Sequence, residues 1–78
     1  MNHALLRDTI QDRGIKVSVL ADKIGISRQS LHMKLNGERS FDQGEIMAIK
    51  INLRLSDEEF MAIFFNERVD NLSQEVSR

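Results

Sequence analysis

The chain has 78 residues, 41% of them hydrophobic, and a formal net charge of −1. This length indicates one small domain with room for roughly four or five helices around a single core. Cysteine is absent, which excludes a disulfide framework and a thiolate metal site and fits a reducing cytosol. The most hydrophobic window, residues 60–65, is far too short for a membrane span or a signal-peptide core, so we expect a soluble cytoplasmic protein.

Charge is divided unevenly along the chain. Residues 1–54 hold nine Lys and Arg against six Asp and Glu, a balance of +3, whereas residues 55–78 hold two against six, a balance of −4. We therefore expect any anion-binding surface in the first two thirds, with the acidic end facing elsewhere.

The apolar residues recur at three- and four-residue spacings, proline is absent, and no segment alternates as a half-buried strand does. This pattern predicts an all-α fold. The first helix is predicted over about 2–13 and the second over 17–24, with Gly14 and Gly25 as their stops. The residues expected to face inward are Leu5, Leu6, Ile10, Leu20, Ala21 and Ile24.

Three capping residues later in the sequence mark the starts of three further helices. Ser27 can cap a third helix over 28–36, which Gly37 closes. A capping box pairs a capping residue with a glutamate three positions on, and flanking apolar residues add a hydrophobic staple. The chain has two such boxes, Asp42 with Glu45 before a helix over 43–53 and Ser56 with Glu59 before a helix over 57–68.

The last ten residues, 69–78, form a polar tail in which Val69, Leu72 and Val76 give a thin apolar stripe. One interpretation is a frayed end, and the other is a helical extension used in dimer contact. The helical domain is thus expected to span residues 1–68.

Only Gly25, Ile26 and Ser27 join the second and third helices. So short a turn predicts two steeply crossing helices with the third exposed at the surface, as in a helix-turn-helix whose second helix enters the major groove of DNA. At about 100° per residue, the third helix has one continuous polar arc, and Leu31 lies outside it. The arc is formed by the polar residues Arg28, His32, Asn36 and Gln29 and by the apolar residue Met33.

The side chains of this arc suit the edges of bases. Arg28 can donate two hydrogen bonds to guanine, Gln29 can pair with adenine, and Met33 can pack on a thymine methyl group. His32 can reach a base edge or a phosphate, and the free N–H groups of the first turn favour a phosphate. Each residue also has an alternative without DNA contact. Arg28 and Gln29 could form a solvated first turn, His32 could be an ordinary surface residue, and Met33 could belong to the core.

The stretch LADKIGISRQSLHMKLNG, residues 20–37, resembles the motif of the Cro/CI-type helix-turn-helix regulators, the XRE family of phage repressors and related bacterial regulators. The matching positions are Leu20-Ala21, Gly25, Ile26-Ser27, Leu31 and Asn36-Gly37. The resemblance extends over about residues 4–55. It implies a compact five-helix, lambda repressor-like domain that binds double-stranded operator DNA as a dimer, with the third helix reading bases.

Residue by residue, the resemblance implies two sets of contacts. The positions that face bases or the groove wall hold Ser27, Arg28, Gln29, His32 and Met33. The candidate phosphate ligands are Lys16, Ser18, Lys34, Asn36, Arg39 and Gln43.

Two places depart from the family pattern. Lys16 and Val17 stand where a Ser or Thr cap and a Gln are common, so we expect Ser18 to cap the second helix one turn late. Lys34 stands where an aliphatic residue is usual, and Leu35 takes the inward role.

The predicted fifth helix is apolar nearly all round. Phe60 and Phe64, four residues apart, are expected to close the core, which leaves Met61 and Phe65 for a partner, by default a second copy of the chain. The dimer-interface candidates are Met61, Phe64 and Phe65. The alternative is a fully buried helix wrapped by the tail.

Catalysis has almost no support in the sequence. His3 and His32 lie far apart with no carboxylate at metal-ligand spacing, and Ser27 and Ser30 have no base in an obvious relay. We therefore expect no enzyme, no metal and no cofactor.

The expected function is sequence-specific DNA binding by a small regulator of phage or mobile-element type, most simply a repressor that excludes polymerase from a two-fold operator in the nucleoid. A rival is a protein-interaction module, antitoxin-like or anti-repressor-like, that uses the helix over 57–68 on the same scaffold. RNA binding is disfavoured because the arc has no aromatic residue for stacking.

Overall fold

The computed structural model describes residues 1–65, which fold into helices without any strand. The helices are α1 His3–Asp12, α2 Val17–Ile24, α3 Arg28–Leu35, α4 Gln43–Asn52 and α5 Asp57–Phe64. The prediction of an all-α fold is confirmed. Among the described residues α5 ends at Phe64, and its C-cap Phe65 has φ −127° and ψ 11°. The expected continuation of this helix over 66–68 lies outside the described residues. The tail over 69–78 lies outside the described residues.

Every helix contributes to one core. α2 packs against α3 and α4, while α1 packs against α3 and α5. The largest fully buried side chains are Leu6, Leu20, Leu31, Ile49, Leu53 and Ile63. Burying an aliphatic side chain of this size contributes about 1.5–3 kcal/mol, so this layer is the main source of stability. Of the residues expected inside, Leu5 and Ile24 are only partly buried.

Four of the helices start where a side chain accepts an otherwise unpaired backbone N–H group. Asn2 caps α1, Ser27 caps α3, and both predicted capping boxes are complete at α4 and α5. α2 is different, because its N-cap is Lys16 and no side chain caps it. The expected late cap by Ser18 is therefore wrong, since Ser18 already lies inside the first turn.

The first four helices end alike. Each is followed within two residues by a residue of positive φ, and the next N–H group then bonds to the carbonyl five residues earlier, as Ile26 does to Ala21 at 3.0 Å. The predicted stops Gly14, Gly25 and Gly37 provide three of these positive-φ positions, and Arg54 provides the fourth at φ 54°.

Arg7 in α1 and Arg13, the residue that follows α1, bind the ends of other helices. Arg7 Nη1 donates to the carbonyl of Leu35 at 2.7 Å, at the end of α3. Arg13 Nε donates to the carbonyl of Leu53 at 3.0 Å, just after α4, and its Nη2 donates to Glu59 at 2.7 Å. A cation is favoured at a helix C-terminus, so α1 holds α3 and α4 in place from one side.

The aromatic rings at α5 and its C-cap bear on two expectations for Phe64, which was expected to close the core and was also a candidate for the dimer interface. Phe64 is only 8% exposed and packs against Phe60, with ring centroids 5.2 Å apart, and edge-on against Phe41 at 6.4 Å. Phe64 therefore belongs to the core, because the loop before α4 brings Phe41 over it. Met61 remains exposed, and Phe65 is half-buried with its ring 5.8 Å from that of Phe60.

Candidate nucleic-acid interface

The polar arc predicted on α3 lies on its exposed side. Leu31 and Leu35 are buried, so they anchor the part of the helix outside the arc in the core. The exposed members of the predicted base-facing and phosphate-facing sets on this helix and its caps are Ser27, Arg28, Gln29, His32 and Asn36. Met33 is half-buried, which leaves part of its side chain on the surface.

The turn before α3 sets the direction in which this arc faces. Gly25 has φ 82°, and an added Cβ there would meet nothing within 4 Å, so the demand for glycine is one of backbone conformation alone. Ser27 Oγ then accepts the N–H of Ser30 at 3.0 Å and starts the new helix. The chain thus changes direction over three residues between α2 and α3.

A shallow depression flanks one side of the arc. It is lined by Ser27, Gln29, Ser30, Met33 and Arg39. Arg39 comes from the loop after α3, so the fold brings this cation next to the N-terminal half of the helix. The predicted base-facing Gln29 and Met33 and the predicted phosphate-facing Arg39 therefore share one surface.

A groove flanks the other side of the arc and connects it with α1 and the start of α2. It is lined by Arg7, Ile10, Gln11, Ile15, Val17, His32, Leu35 and Asn36. His32 and Asn36 therefore lie beside the polar side chains of Arg7 and Gln11, which the sequence-based interpretation did not include. Nothing in their local sequence marks Arg7 and Gln11, because only the packing of α1 against α3 brings them there.

The start of α2 is a second candidate anion site. Its first intrahelical bond is made by the N–H of Leu20 to the carbonyl of Lys16 at 3.0 Å, so the N–H groups of Val17, Ser18 and Val19 precede it without a capping side chain. Lys16 and Ser18 are exposed at this end. Free N–H groups, a helix dipole and an ammonium group together favour an anion such as a phosphate.

The cations of the described residues differ in whether they are already paired. Lys16, Arg28 and Arg39 are exposed, and none of them has an ion-pair partner in the part of the chain that the structure describes. Arg13 and Lys50, by contrast, are paired with Glu59 and Asp57. Positive charge on this side of the domain is therefore available to an anionic ligand.

Lys34 departs from the expected set of phosphate ligands. Its Nζ lies 2.6 Å from Glu45 Oε1 and 2.7 Å from Oε2, and its side chain is only 12% exposed. At 100° per residue, Lys34 lies about 240° from Arg28, outside the arc. Lys34 therefore faces α4, and this placement corrects the expectation that it contacts phosphate.

The remaining expected phosphate ligand, Gln43, is exposed at the first position of α4. On the same helix, Met47 and Ile51 are large exposed apolar residues four positions apart, and Ile51 is 69% exposed. The sequence-based interpretation placed exposed apolar surface on α5 and did not identify this pair on α4.

Other kinds of site have no support in residues 1–65. Within this range, no three of the His, Cys, Asp and Glu side chains come together in a way that would hold a metal ion. Nor does any helix among these residues combine the length and apolar character needed to cross a bilayer.

Comparison of the chain with protein-family models, with curated proteins and with solved structures finds no match in any of the three. The functional assignment therefore depends on the residues of this chain and on their arrangement.

Proposed function

We propose that the protein is a sequence-specific DNA-binding regulator in which α2 and α3 act as a helix-turn-helix and α3 enters the major groove. The observation that supports this most strongly is the exposed arc of α3, which follows a three-residue turn and has unpaired cations at its start and beside it. The major groove is about 12 Å wide and admits one α-helix, and its base edges display donors and acceptors that such side chains can read.

In this proposal the base-facing residues are Ser27, Arg28, Gln29, His32 and Met33. Arg28 lies at the first helical position, where a side chain reaches deepest when the N-terminal end of the helix contacts base edges. The exposed side of Met33 fits a thymine methyl group, and its buried side packs on the domain.

The phosphate-facing residues are Lys16, Ser18, Asn36, Arg39 and Gln43, without Lys34. Lys16 and Ser18 lie at the uncapped start of α2, and Arg39 lies across the depression from Gln29. These contacts flank the arc, so they would set its register on the duplex without reading sequence.

The proposed active form is a homodimer on a two-fold operator with half-sites about 10 bp apart or a multiple of that spacing. Met61 in α5 and Phe65, the residue after this helix, are left for the partner chain. Repression by steric exclusion of polymerase is the simplest mode of action for a domain of this size.

A protein-interaction module is the second candidate, and the exposed apolar residues Met47 and Ile51 on α4 favour it, together with Met61 on α5. Salt distinguishes the two functions. Binding to DNA weakens steeply with ionic strength because counterions are released, whereas an apolar protein contact does not.

The test is selection of duplexes from a random DNA library by the purified protein at near-physiological salt, followed by sequencing. A symmetric enriched motif with half-sites about one helical turn apart would support both specificity and dimeric binding. If the folded protein enriches no sequence, the proposal fails and the apolar faces of α4 and α5 become the surfaces to investigate.

A further inference from the structure

A nearly buried ion pair joins α3 to the first turn of α4. Lys34 Nζ contacts both carboxylate oxygens of Glu45, and the two side chains are 12% and 11% exposed. Glu45 Oε1 also accepts the N–H of Asp42 at 2.9 Å, while Asp42 Oδ1 accepts the N–H of Glu45 at 2.7 Å. One carboxylate thus closes the capping box of α4 and holds α3 at the same time.

The pair acts on the C-terminal half of α3, where a second side-chain contact also meets the helix. Lys34 lies on the side of the helix opposite the polar arc, and the carbonyl of the next residue, Leu35, accepts a hydrogen bond from Arg7. The C-terminal half of α3 is therefore fixed to α1 by one cation and to α4 by another. The loop over 36–42 begins and ends at these fixed points, and it presents Arg39 beside the arc.

A nearly buried ion pair usually adds little to the free energy of unfolding. Removing two charges from water is costly, and apolar residues of similar volume often serve as well or better. What the pair does supply is geometry, because an ammonium group between two carboxylate oxygens allows little rotation of α3 against α4.

We propose that Lys34 and Glu45 are positioning residues for DNA recognition. Their ion pair fixes the rotation of α3 about its axis, and so sets where the base-facing residues of the arc meet the edges of the bases. Neither residue contacts DNA. This inference rests on the proposed function. It gives Lys34 the role of positioning α3 and not that of a phosphate ligand.

The test uses the double variant Lys34→Met/Glu45→Gln. Met keeps most of the aliphatic length of Lys, and Gln still accepts the N–H of a capping residue, so the capping box is retained. Affinity is measured for the duplex most enriched from the random library and for a scrambled duplex of the same composition. We expect the ratio of the two affinities to fall at least about 10-fold, the size of one lost base contact. Affinity for scrambled DNA and its dependence on salt should stay unchanged.

Two further variants serve as controls. Lys34→Arg keeps the charge pair and should keep the ratio within about 3-fold of the original protein, well inside the effect of a lost base contact. Glu45→Asp keeps the charge but withdraws the carboxylate by one methylene, and it replaces the double variant if that one does not fold. Its ratio should fall in the same way.

Two results would overturn the proposal. If the double variant, or Glu45→Asp in its place, keeps the full ratio, then the pair does not position α3. If the double variant loses affinity for scrambled DNA and the slope of log K against log salt flattens by about 0.9, then Lys34 is a phosphate ligand after all.

Amide hydrogen exchange tests whether the ion pair positions α3 in the absence of DNA. Its result therefore distinguishes a failure of the positioning proposal from a failure of the proposed DNA-binding function. In the double variant, exchange at Asn36, Gly37 and Glu38, whose N–H groups bond to carbonyls of α3, should accelerate at least 10-fold, while exchange at Ile10 in α1 should not. Equal acceleration at both places, or none, would refute positioning even if the original protein selects no DNA.

Discussion

Glu59 shows how a single carboxylate serves two helices. Its Oε1 accepts hydrogen bonds from the N–H of Ser56 at 2.9 Å, within the capping box of α5, and from Nη2 of Arg13, the C-cap of α1, at 2.7 Å. The hydrogen bond from Arg13 is the main cause that lowers the pKa of Glu59 below its ordinary value of 4.5, and the bond from the Ser56 backbone adds to it. A carboxyl group whose pKa is lower in the folded state contributes stability above its unfolded pKa and loses it as the pH falls through the folded value.

The first prediction concerns Glu59→Gln, which keeps an acceptor for the capping box but removes the charge facing Arg13. At pH 7 the variant should melt at a lower temperature than the original protein, and the difference should shrink as the pH falls below 4.5. Thermal unfolding followed by circular dichroism across pH 3 to 7 checks this. Glu58→Gln removes a neighbouring charge as a control, and a Glu59→Gln difference that is constant with pH would contradict the account.

The second prediction concerns Arg54, the one residue other than glycine with positive φ in residues 1–65. An L-residue in this conformation costs about 1–2 kcal/mol, while glycine adopts it freely but gives up about 0.5–1 kcal/mol of chain entropy. Arg54→Gly should therefore raise the free energy of unfolding by about 0.5–1 kcal/mol. Urea unfolding measures it, and Arg54→Ala, which keeps the strain, should give no gain. A loss in Arg54→Gly would mean that Arg54 makes a stabilising contact that outweighs the strain.

At the scale of the element, α2 differs from the other helices at its N-terminal end. α1, α3, α4 and α5 each begin with a capping side chain, and α2 begins with an exposed lysine and uncapped N–H groups. A missing cap usually lowers the free energy of unfolding by about 1 kcal/mol, so α2 is less stable at this end than a capped helix would be. A phosphate bound there would restore the missing acceptor.

The third prediction follows from this end of α2. Lys16→Ala should weaken binding to enriched and scrambled duplexes by the same factor, and it should flatten the slope of log K against log salt by about 0.9. Fluorescence anisotropy over a salt series measures both. Lys23→Ala removes the same charge from the other end of α2 and should change neither quantity by a comparable amount. A loss confined to the enriched duplex would show that Lys16 takes part in reading sequence.

The elements also show how far local sequence predicts structure here. The caps at Ser27, Asp42 and Ser56 and the stops at the glycines act within four residues, so the helices could be placed from the sequence to within a few positions. The side chain of Lys34 was misplaced because its partner Glu45 lies eleven residues away and meets it only in the packed domain. The core position of Phe64 could be predicted from its spacing to Phe60, whereas its contact with Phe41, from a loop distant in sequence, could not.

At the scale of the whole molecule, the candidate site combines parts that no single segment supplies. The arc of α3 could be read from helical spacing, and so could the short turn before it. The depression with Arg39 and the groove with Arg7 and Gln11 depend on how α1, α3 and the loop after α3 pack together. A net charge of −1 conceals this surface, because the acidic residues are concentrated beyond residue 54.

The exposed apolar surface also belongs to this scale. Met61 is exposed on α5, while Met47 and Ile51 are exposed on α4. In the proposed dimer, α5 supplies the contact, and the contact places two copies of α3 about one helical turn of DNA apart. The spacing of half-sites in any selected sequence would therefore report on the geometry of the dimer.

The fourth prediction, and the most direct test of the central claim, compares Arg28→Ala with the original protein on the enriched duplex, on its single-base variants and on a scrambled duplex. If Arg28 reads a base from the exposed arc of α3, the variant should lose about 1–3 kcal/mol on the enriched duplex and no longer discriminate at one base pair of each half-site, while most of its affinity for scrambled DNA remains. Equal losses on enriched and scrambled DNA, with discrimination kept at every position, would contradict the account.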